Sequence, residues 1–170
     1  MKRFLLLSMF VILAGTTMAQ KYAYIDSEYI LTNIPAYNAA ESTLEKLSKQ
    51  YQTNLDNMYA EVEKLYKNYQ AEAGRLSNEV KRSREDAIIA REQACKEQQQ
   101  KYFGPEGELV KRRDALMKPI RDQIDKAIKQ LALNGGYAII FDKSGGDNII
   151  YTNPQYDISN QVLQLLGYRN

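Results

Sequence analysis

The sequence predicts an α+β protein in which a long antiparallel coiled-coil helical hairpin projects from a small β-rich body. The first observation is a helical pattern from about Pro35 to Leu133, whose apolar residues recur every three or four positions. Such a face needs a partner helix to cover it. The second observation is that the strand-like segments outside this stretch are too short to form a core alone. We therefore predict an arm at 36–133 and a body, at 20–35 and 134–170, that completes itself by oligomerisation.

The N-terminal segment has the organisation of a secretory signal peptide. Lys2 and Arg3 precede an apolar run, and small residues lie around Ala19. The run is too short to span a bilayer core of about 30 Å, so we predict export and cleavage after Ala19. Cleavage removes two of the 23 basic residues and none of the 21 acidic ones. The mature chain is then formally neutral, which disfavours a nucleic-acid partner.

The segment after the signal predicts one strand, a short link and the first long helix. Lys21–Asp26 is rich in aromatic and β-branched residues and reads as a strand. A short helical link follows up to Ile34, and Pro35 suits the first turn of the next helix. We expect that helix to run from about Ala36 to Val80, a length of about 65–70 Å.

The apolar face of this helix is broader than contact with one partner helix requires, because Tyr59 and Tyr66 flank the seam. The excess could bind varied apolar clients, with tyrosine and methionine providing adaptable contacts. The competing interpretation is that the tyrosines shield the seam and keep their hydroxyls in water. The candidate client-binding residues are Tyr51, Leu55, Met58, Tyr59, Val62, Tyr66 and Tyr69.

The reversal of the hairpin is predicted at 77–84, where the apolar rhythm is lost. Ser83, with an acidic residue at Asp86, resembles a helix N-cap. Around this point Glu79 is outnumbered by basic residues, which form either a solvated surface or a local field for acidic partners. This predicted basic tip consists of Arg75, Lys81, Arg82 and Arg84.

The return helix carries two interruptions in its pattern. The segment at 104–107, which has glycine at both ends and proline at its second position, should break the helix, and Pro119 should kink it. We do not place the hairpin tip at 104–107, because the two arms would then be very unequal. The candidate hinge residues are Gly104, Pro105, Gly107 and Pro119. Cys95, the single cysteine, is predicted as a small buried residue of the helix face, with a redox or interchain role as the alternative.

The C-terminal part is predicted to form a β-hairpin and a final helix. Tyr137–Asp142 and Asn148–Thr152 read as strands, and Asp157 can cap a helix whose apolar face is Ile158, Val162, Leu165 and Leu166. The predicted body residues are Tyr24, Ile25, Ile139, Ile140, Phe141, Ile149, Ile150 and Tyr151.

The sequence lacks the residue combinations that catalysis requires. It contains no histidine, no glycine-rich phosphate loop and no nucleophile with a base. We therefore expect neither an enzyme nor a cofactor or metal site.

Several segments, in this order, resemble the Skp/OmpH family of periplasmic chaperones. They are Tyr24–Asp26, Leu116–Ile120, Gly136–Asp142, Ile150–Tyr151 and Tyr156–Ser159. The resemblance implies a jellyfish-like homotrimer, with a small β-barrel trimerisation body and three helical tentacles around a cavity. It also implies ATP-independent holding of unfolded outer-membrane proteins in the periplasm until they insert into the membrane.

This chain departs from the better-known members of that family, which are strongly basic. Since its mature charge is formally zero, we expect only weak contact of the basic tip with a membrane surface or lipopolysaccharide. Two alternatives use the same architecture: a structural coiled-coil spacer or scaffold of the cell envelope without a client, and an envelope-surface binder acting through the tip.

Overall fold

The computed structural model describes residues 20–146 and 149–168, which form long helices and a small two-stranded sheet. The predicted signal peptide lies outside the described residues. None of the described helices is both long and apolar enough to cross a membrane. The chain divides into two compact units, which we call the sheet unit (Met1–Asn33 with Gln123–Asn170) and the helical unit (Ile34–Asp122).

The sheet unit contains two parallel strands, β1 (Lys21–Ile25) and β2 (Tyr137–Asp142). Their register pairs Tyr22 with Ile139 and Ile25 with Asp142. Parallel strands need a long crossover, and the helices between β1 and β2 supply it. Both strands lie where the sequence predicts them.

The prediction that β2 pairs antiparallel with a strand at 148–152 is wrong for residues 149–152, which the structure describes. Residues 149–152 have no regular secondary structure, and Asn148 lies outside the described residues. β2 pairs with β1 instead, and Tyr24 of β1 forms a further bridge to Asp157. The alternation that marks a strand does not specify which strand it will pair with.

Strand β1 and the short helices provide the core of the sheet unit. The first, α1 (Ser27–Thr32), is capped by Asp26, whose Oδ1 accepts a hydrogen bond of 2.9 Å from the Tyr29 amide. The core residues include Ala23, Ile25, Ile30, Ile158, Val162 and Leu163. The last two belong to the C-terminal helix of the unit, Ser159–Leu165. Its N-cap residue is Ile158 and not the predicted Asp157, whose side chain instead accepts a 2.9 Å hydrogen bond from the Ser159 amide.

The apolar face predicted for this C-terminal helix is partly wrong. Val162 is buried as expected, but Leu163 is buried beside it while Leu165 is exposed. A helix of seven residues makes only two turns, so its inward side is set by the contacts of Ile158 and Val162 with the unit.

The helical unit begins with α2 (Pro35–Glu72), and Pro35 occupies its first turn as predicted. A 3₁₀ turn at Ala73–Arg75 follows, and α3 runs from Asn78 to Phe103. The interruption therefore lies at 73–77, earlier than the predicted 77–84, and α2 ends before Val80. Gly74 has low helix propensity, and the Ser77 hydroxyl accepts a hydrogen bond from the Val80 amide at 3.3 Å. Ser77, and not Ser83, is the N-cap.

The second interruption is confirmed at its predicted position. Phe103 ends α3, and α4 runs from Glu108 to Gly135. Pro119 lies inside α4, and the kink expected there stays a prediction. Gly136, with a φ of 65°, follows the end of α4 in the left-handed conformation that favours glycine. The C-terminal helix of the sheet unit is thus α5 (Ser159–Leu165).

Contacts between α2 and α3 pair residues in opposite sequence order. Tyr69 bonds to Glu85 near the interruption, Tyr59 bonds to Gln99 at 3.2 Å, and Asn54 bonds to Tyr102 at 3.4 Å. Between the helices lies a buried cluster of Val62, Ile88 and Cys95, against which Met58 and Tyr69 pack. This confirms Cys95 as a small buried residue of the helix face.

Candidate functional site

The seven candidate client-binding residues divide into buried and accessible groups. Leu55 and Val62 are buried, and Met58 and Tyr69 pack against the seam cluster. These four residues therefore hold α2 against its partner. Tyr59 and Tyr66 are 41% and 50% exposed, so their rings remain available for contact with another molecule.

Tyr51, the seventh residue, is engaged within the chain. Its ring stacks on Tyr102 with a centroid distance of 3.9 Å and an interplanar angle of 5°. Its hydroxyl donates a 2.8 Å hydrogen bond to Glu108. Partial burial, together with this bond and the negative charge of Glu108, raises the pKa of the Tyr51 phenol above its usual value.

Exposed apolar residues that were not predicted as contact residues extend the available surface. Ile89 of α3 is 62% exposed, and Leu65 and Val80 are also exposed. A sequence signal for Ile89 exists. Adjacent residues on a helix point about 100° apart, so Ile88 and Ile89 cannot both enter a narrow seam. We call Tyr59, Leu65, Tyr66 and Ile89 the exposed apolar set.

The basic tip lies at the interruption between α2 and α3. Arg75 is in the 3₁₀ turn, and Lys81, Arg82 and Arg84 are in the first turns of α3. Arg84 forms a 2.7 Å ion pair with Glu72 of α2. The field of the tip is therefore weaker than its four positive charges suggest.

The sheet unit carries an open groove with a volume of about 870 Å³ beside β1 and β2. Most of its lining is aromatic or aliphatic: Tyr22, Tyr24, Tyr137, Phe141, Ile149, Ile150, Tyr151 and Tyr156. Ile150 and Tyr151 are 100% and 81% exposed, and Ile139 and Phe141 are exposed on β2. Of the predicted body residues, Tyr24 and Ile25 are buried within the chain. The others are half-buried or exposed, so they leave apolar surface that a second molecule could cover.

A polar network joins the ends of the two strands. Lys143 Nζ lies 3.2 Å from Asp26 Oδ2 and 3.7 Å from Asp157 Oδ2. The hydrogen bond to Asp26 raises the pKa of Lys143 despite some desolvation. Burial of Asp142 opposes its ionisation, but hydrogen bonds from Ser27 and Ser144 outweigh it and lower the pKa of the carboxyl. This network fixes the strand ends and offers no recognisable catalytic arrangement.

The fold and these surfaces define a mostly helical protein that has long helices, a small two-stranded sheet and accessible apolar surface in both units. The chain belongs to the OmpH-like outer membrane protein family, whose model matches residues 21–166.

The chain also shares its fold with a crystal structure from Caulobacter crescentus CB15, that of an OmpH-like protein provisionally assigned as an outer membrane chaperone. The two sequences are 13% identical, the match covers 89% of this chain and 86% of the other, and the TM-score is 0.70. No curated protein matches this chain.

Proposed function

We propose that this chain is a periplasmic holdase chaperone, exported with a cleaved signal peptide and without enzymatic activity. It would bind unfolded outer-membrane β-barrel proteins between the helical arms of a homotrimer and keep them soluble for membrane insertion without ATP. Membership of the OmpH-like family supports a chaperone role. The observation that carries the proposal is the exposed apolar set on helices that already possess a buried seam.

The exposed apolar set is surplus to the folding of α2 against α3. Val62, Ile88 and Cys95 are buried without it, and Leu65, Tyr66 and Ile89 remain in water. Covering such surface with a client's apolar side chains gains about 25 cal/mol for each Å² removed from water. This attraction persists in salt, whereas exposed charges are screened beyond about 8–10 Å. Apolar contact should therefore hold the client, with charge affecting mainly its capture.

The homotrimer is supported by the surface of the sheet unit. Phe141, Ile150 and Tyr151 are exposed beside a groove that their own chain leaves open. Two more copies of the chain could cover this surface, with each chain contributing a helical hairpin of α2 and α3 continued by α4. Ile140, which pairs with Ala23 in the sheet, is half-buried in β2 between the exposed Ile139 and Phe141. An Ile140→Asp substitution should dissociate and unfold the body together, whereas a stable folded monomer of the unmodified chain in sedimentation equilibrium would contradict the trimer.

The competing function is a coiled-coil spacer of the envelope without a client. One contact favours it: the Tyr59 hydroxyl donates a hydrogen bond to Gln99 across the helices at 3.2 Å. That bond fits a tyrosine that shields the seam. Tyr66, more exposed than Tyr59, fits the client-binding role better.

A holding assay with matched variants tests the proposal. The mature chain, mixed at stoichiometric ratio with an unfolded outer-membrane β-barrel protein, should keep it soluble without ATP. Tyr59→Ser with Tyr66→Ser should weaken holding several-fold while helix content and trimer mass stay unchanged. The matched control, Tyr59→Phe with Tyr66→Phe, keeps the rings and should hold normally.

Charge reversal distinguishes apolar from electrostatic holding. Arg82→Glu with Arg84→Glu should slow capture at low salt and have little effect at physiological salt. If reversal abolishes holding at physiological salt while the serine pair is silent, the mechanism is electrostatic. If the unmodified chain leaves the solubility of the β-barrel protein unchanged, the spacer function is favoured.

A further inference from the structure

The break between α3 and α4 is a compact turn that depends on glycine. A Cβ atom at Gly104 would lie 2.4 Å from the backbone oxygen of Gln100, and one at Gly107 would lie 2.7 Å from that of Tyr102. Both distances are shorter than real side chains allow, and both glycines are buried. No other residue type fits these positions without a shift of the backbone.

The backbone of the turn is also well satisfied by hydrogen bonds. The Gly104 amide donates to Gln100 O and the Gly107 amide to Gly104 O, each at 2.8 Å. The Lys111 amide donates to Gly107 O at 3.1 Å, which begins α4. A turn whose amides are paired in this way is ordered, in contrast to a loose linker.

Contacts among three aromatic rings connect the turn to α2. Tyr51 stacks on Tyr102, and Phe103 meets both rings edge-on, at 6.2 Å and 88° from Tyr51 and at 6.4 Å and 83° from Tyr102. Tyr102 and Phe103 are the last two residues of α3, whereas Tyr51 lies inside α2, which passes the break without interruption. The continuous helix α2 is thus attached to the C-terminal end of α3.

Glu108 adds a polar connection at the same place. As the first residue of α4, it accepts the Tyr51 hydroxyl hydrogen bond through Oε2, and its Oε1 lies 3.6 Å from Lys101 Nζ of α3. One side chain therefore connects α4 to both α2 and α3. The stack and this connection share Tyr51 as their common member.

We infer that Tyr51, Tyr102, Phe103 and Glu108 form a latch that controls the flexibility of the return helices. While Tyr51 is stacked on Tyr102, contact with α2 restrains the motion of α3 relative to α4, and the break is a fixed bend. When the rings separate, α3 and α4 are joined only by the short turn and the exposed Glu108–Lys101 ion pair, and the break becomes a hinge. The flexibility expected at Gly104, Pro105 and Gly107 is thus conditional on the latch. The inference concerns the mechanics of the chain and stands independently of the holdase proposal.

Amide hydrogen exchange in the full mature chain tests the latch. Tyr51→Leu should raise exchange of the amides at 104–111 by about 2- to 12-fold, the range that the coupling of an aromatic pair implies. Tyr102→Leu should also raise exchange there, and the double variant should raise it by less than the product of the two single effects, because both changes remove the same stacked pair. Tyr51→Phe keeps the ring but loses the bond to Glu108, so it should give a smaller increase.

The matched control is Tyr59→Leu, which removes another α2 tyrosine with a cross-helix hydrogen bond. It should leave exchange at 104–111 unchanged. The latch is overturned if Tyr51→Leu has no effect at 104–111, if Tyr59→Leu has an equal effect, or if these amides already exchange at the rate of an open loop in the unmodified chain.

A distance measurement separates hinge motion from simple fraying of helix ends. Spin labels at Lys46 of α2 and Arg113 of α4, both exposed, should report a narrow distance distribution in the unmodified chain. Samples are diluted with unlabelled chain so that each measured pair lies within one molecule. Tyr51→Leu should broaden the distribution. A distribution that stays narrow while exchange rises would contradict the hinge.

Discussion

The two units of this chain bury their apolar residues in different ways. In the sheet unit, Ile30 and Val162 are completely buried, and they come from helices that are far apart in the sequence. In the helical unit, burial is confined to a seam such as that of Val62, Ile88 and Cys95, and apolar residues on either side of it remain exposed.

This difference separates the residues available for folding from those available for binding. Residues of a core that is covered on all sides contact several segments of their own unit and cannot contact another molecule. A seam between two helices uses only one stripe of each, so the helices can carry additional apolar residues on their flanks. The exposed apolar set occupies such positions, as the holdase proposal requires.

The largest effect should come from the core of the sheet unit. Ile30→Ala should destabilise that unit by about 2–5 kcal/mol, because it leaves a cavity among segments that cannot all move inward. Chemical unfolding followed by exchange of the β1 and β2 amides would measure the loss. Ile89→Ala is the matched control, since it makes the same change at an exposed position and should cost less than about 0.5 kcal/mol. Equal effects of the two substitutions would remove the distinction between core and flank.

A smaller and more local effect is expected in the seam. Leu55→Ala should cost about 2–3 kcal/mol, near the low end of core substitutions, because two helices can move together to fill the space. Exchange should rise in α2 and α3 near the substitution and stay unchanged in β1 and β2. Leu65→Ala, at an exposed position of the same helix, is the control. If Leu55→Ala loosens the strands as much as the helices, the two units unfold as one.

The sequence predicts best those features that depend on neighbouring residues. The bounds of β1 and β2, the start of α2 at Pro35 and the break at 104–107 follow from propensity, proline and glycine. The predicted position of the interruption between α2 and α3 is too late in the chain, because it rests on the loss of apolar rhythm and on the cap-like pattern of Ser83 and Asp86, whereas Ser77 is the N-cap. The residues around Gly74 do not by themselves indicate that the helix ends there.

Features that depend on contacts between distant residues could not be predicted in the same way. The segment 149–152 has the composition of a strand, yet β2 pairs with β1 across the whole helical insertion. The spacing of Tyr51 predicts that it lies on the apolar face of α2. Its contacts with Tyr102 and Glu108 join positions more than 50 residues apart, and only the position of the break brings them together.

The smallest effect should be the pH dependence of the strand-end network, because its groups are partly open to solvent. The lowered pKa of Asp142 means that its contribution is present above the unfolded value of about 3.9 and is lost as the pH falls through the folded value. The raised pKa of Lys143 means that its contribution is full below about 10.4 and is lost as the pH rises through the folded value. The contribution of this network to the stability of the sheet unit should therefore be constant between about pH 4 and pH 10, a range that we call the plateau.

Asp142→Asn tests the acid limb of this plateau. The amide oxygen can still accept the hydrogen bonds from Ser27 and Ser144, but it does not titrate. Urea midpoints read from the strand amides between pH 3 and pH 7 should thus fall less steeply on acidification than in the unmodified chain. In the helical unit, Glu63 also has a lowered pKa through its bond to Lys67, but its side chain is exposed and should contribute little in physiological salt. An acid slope that is unchanged by Asp142→Asn would show that the strand ends do not set the acid stability of the sheet unit.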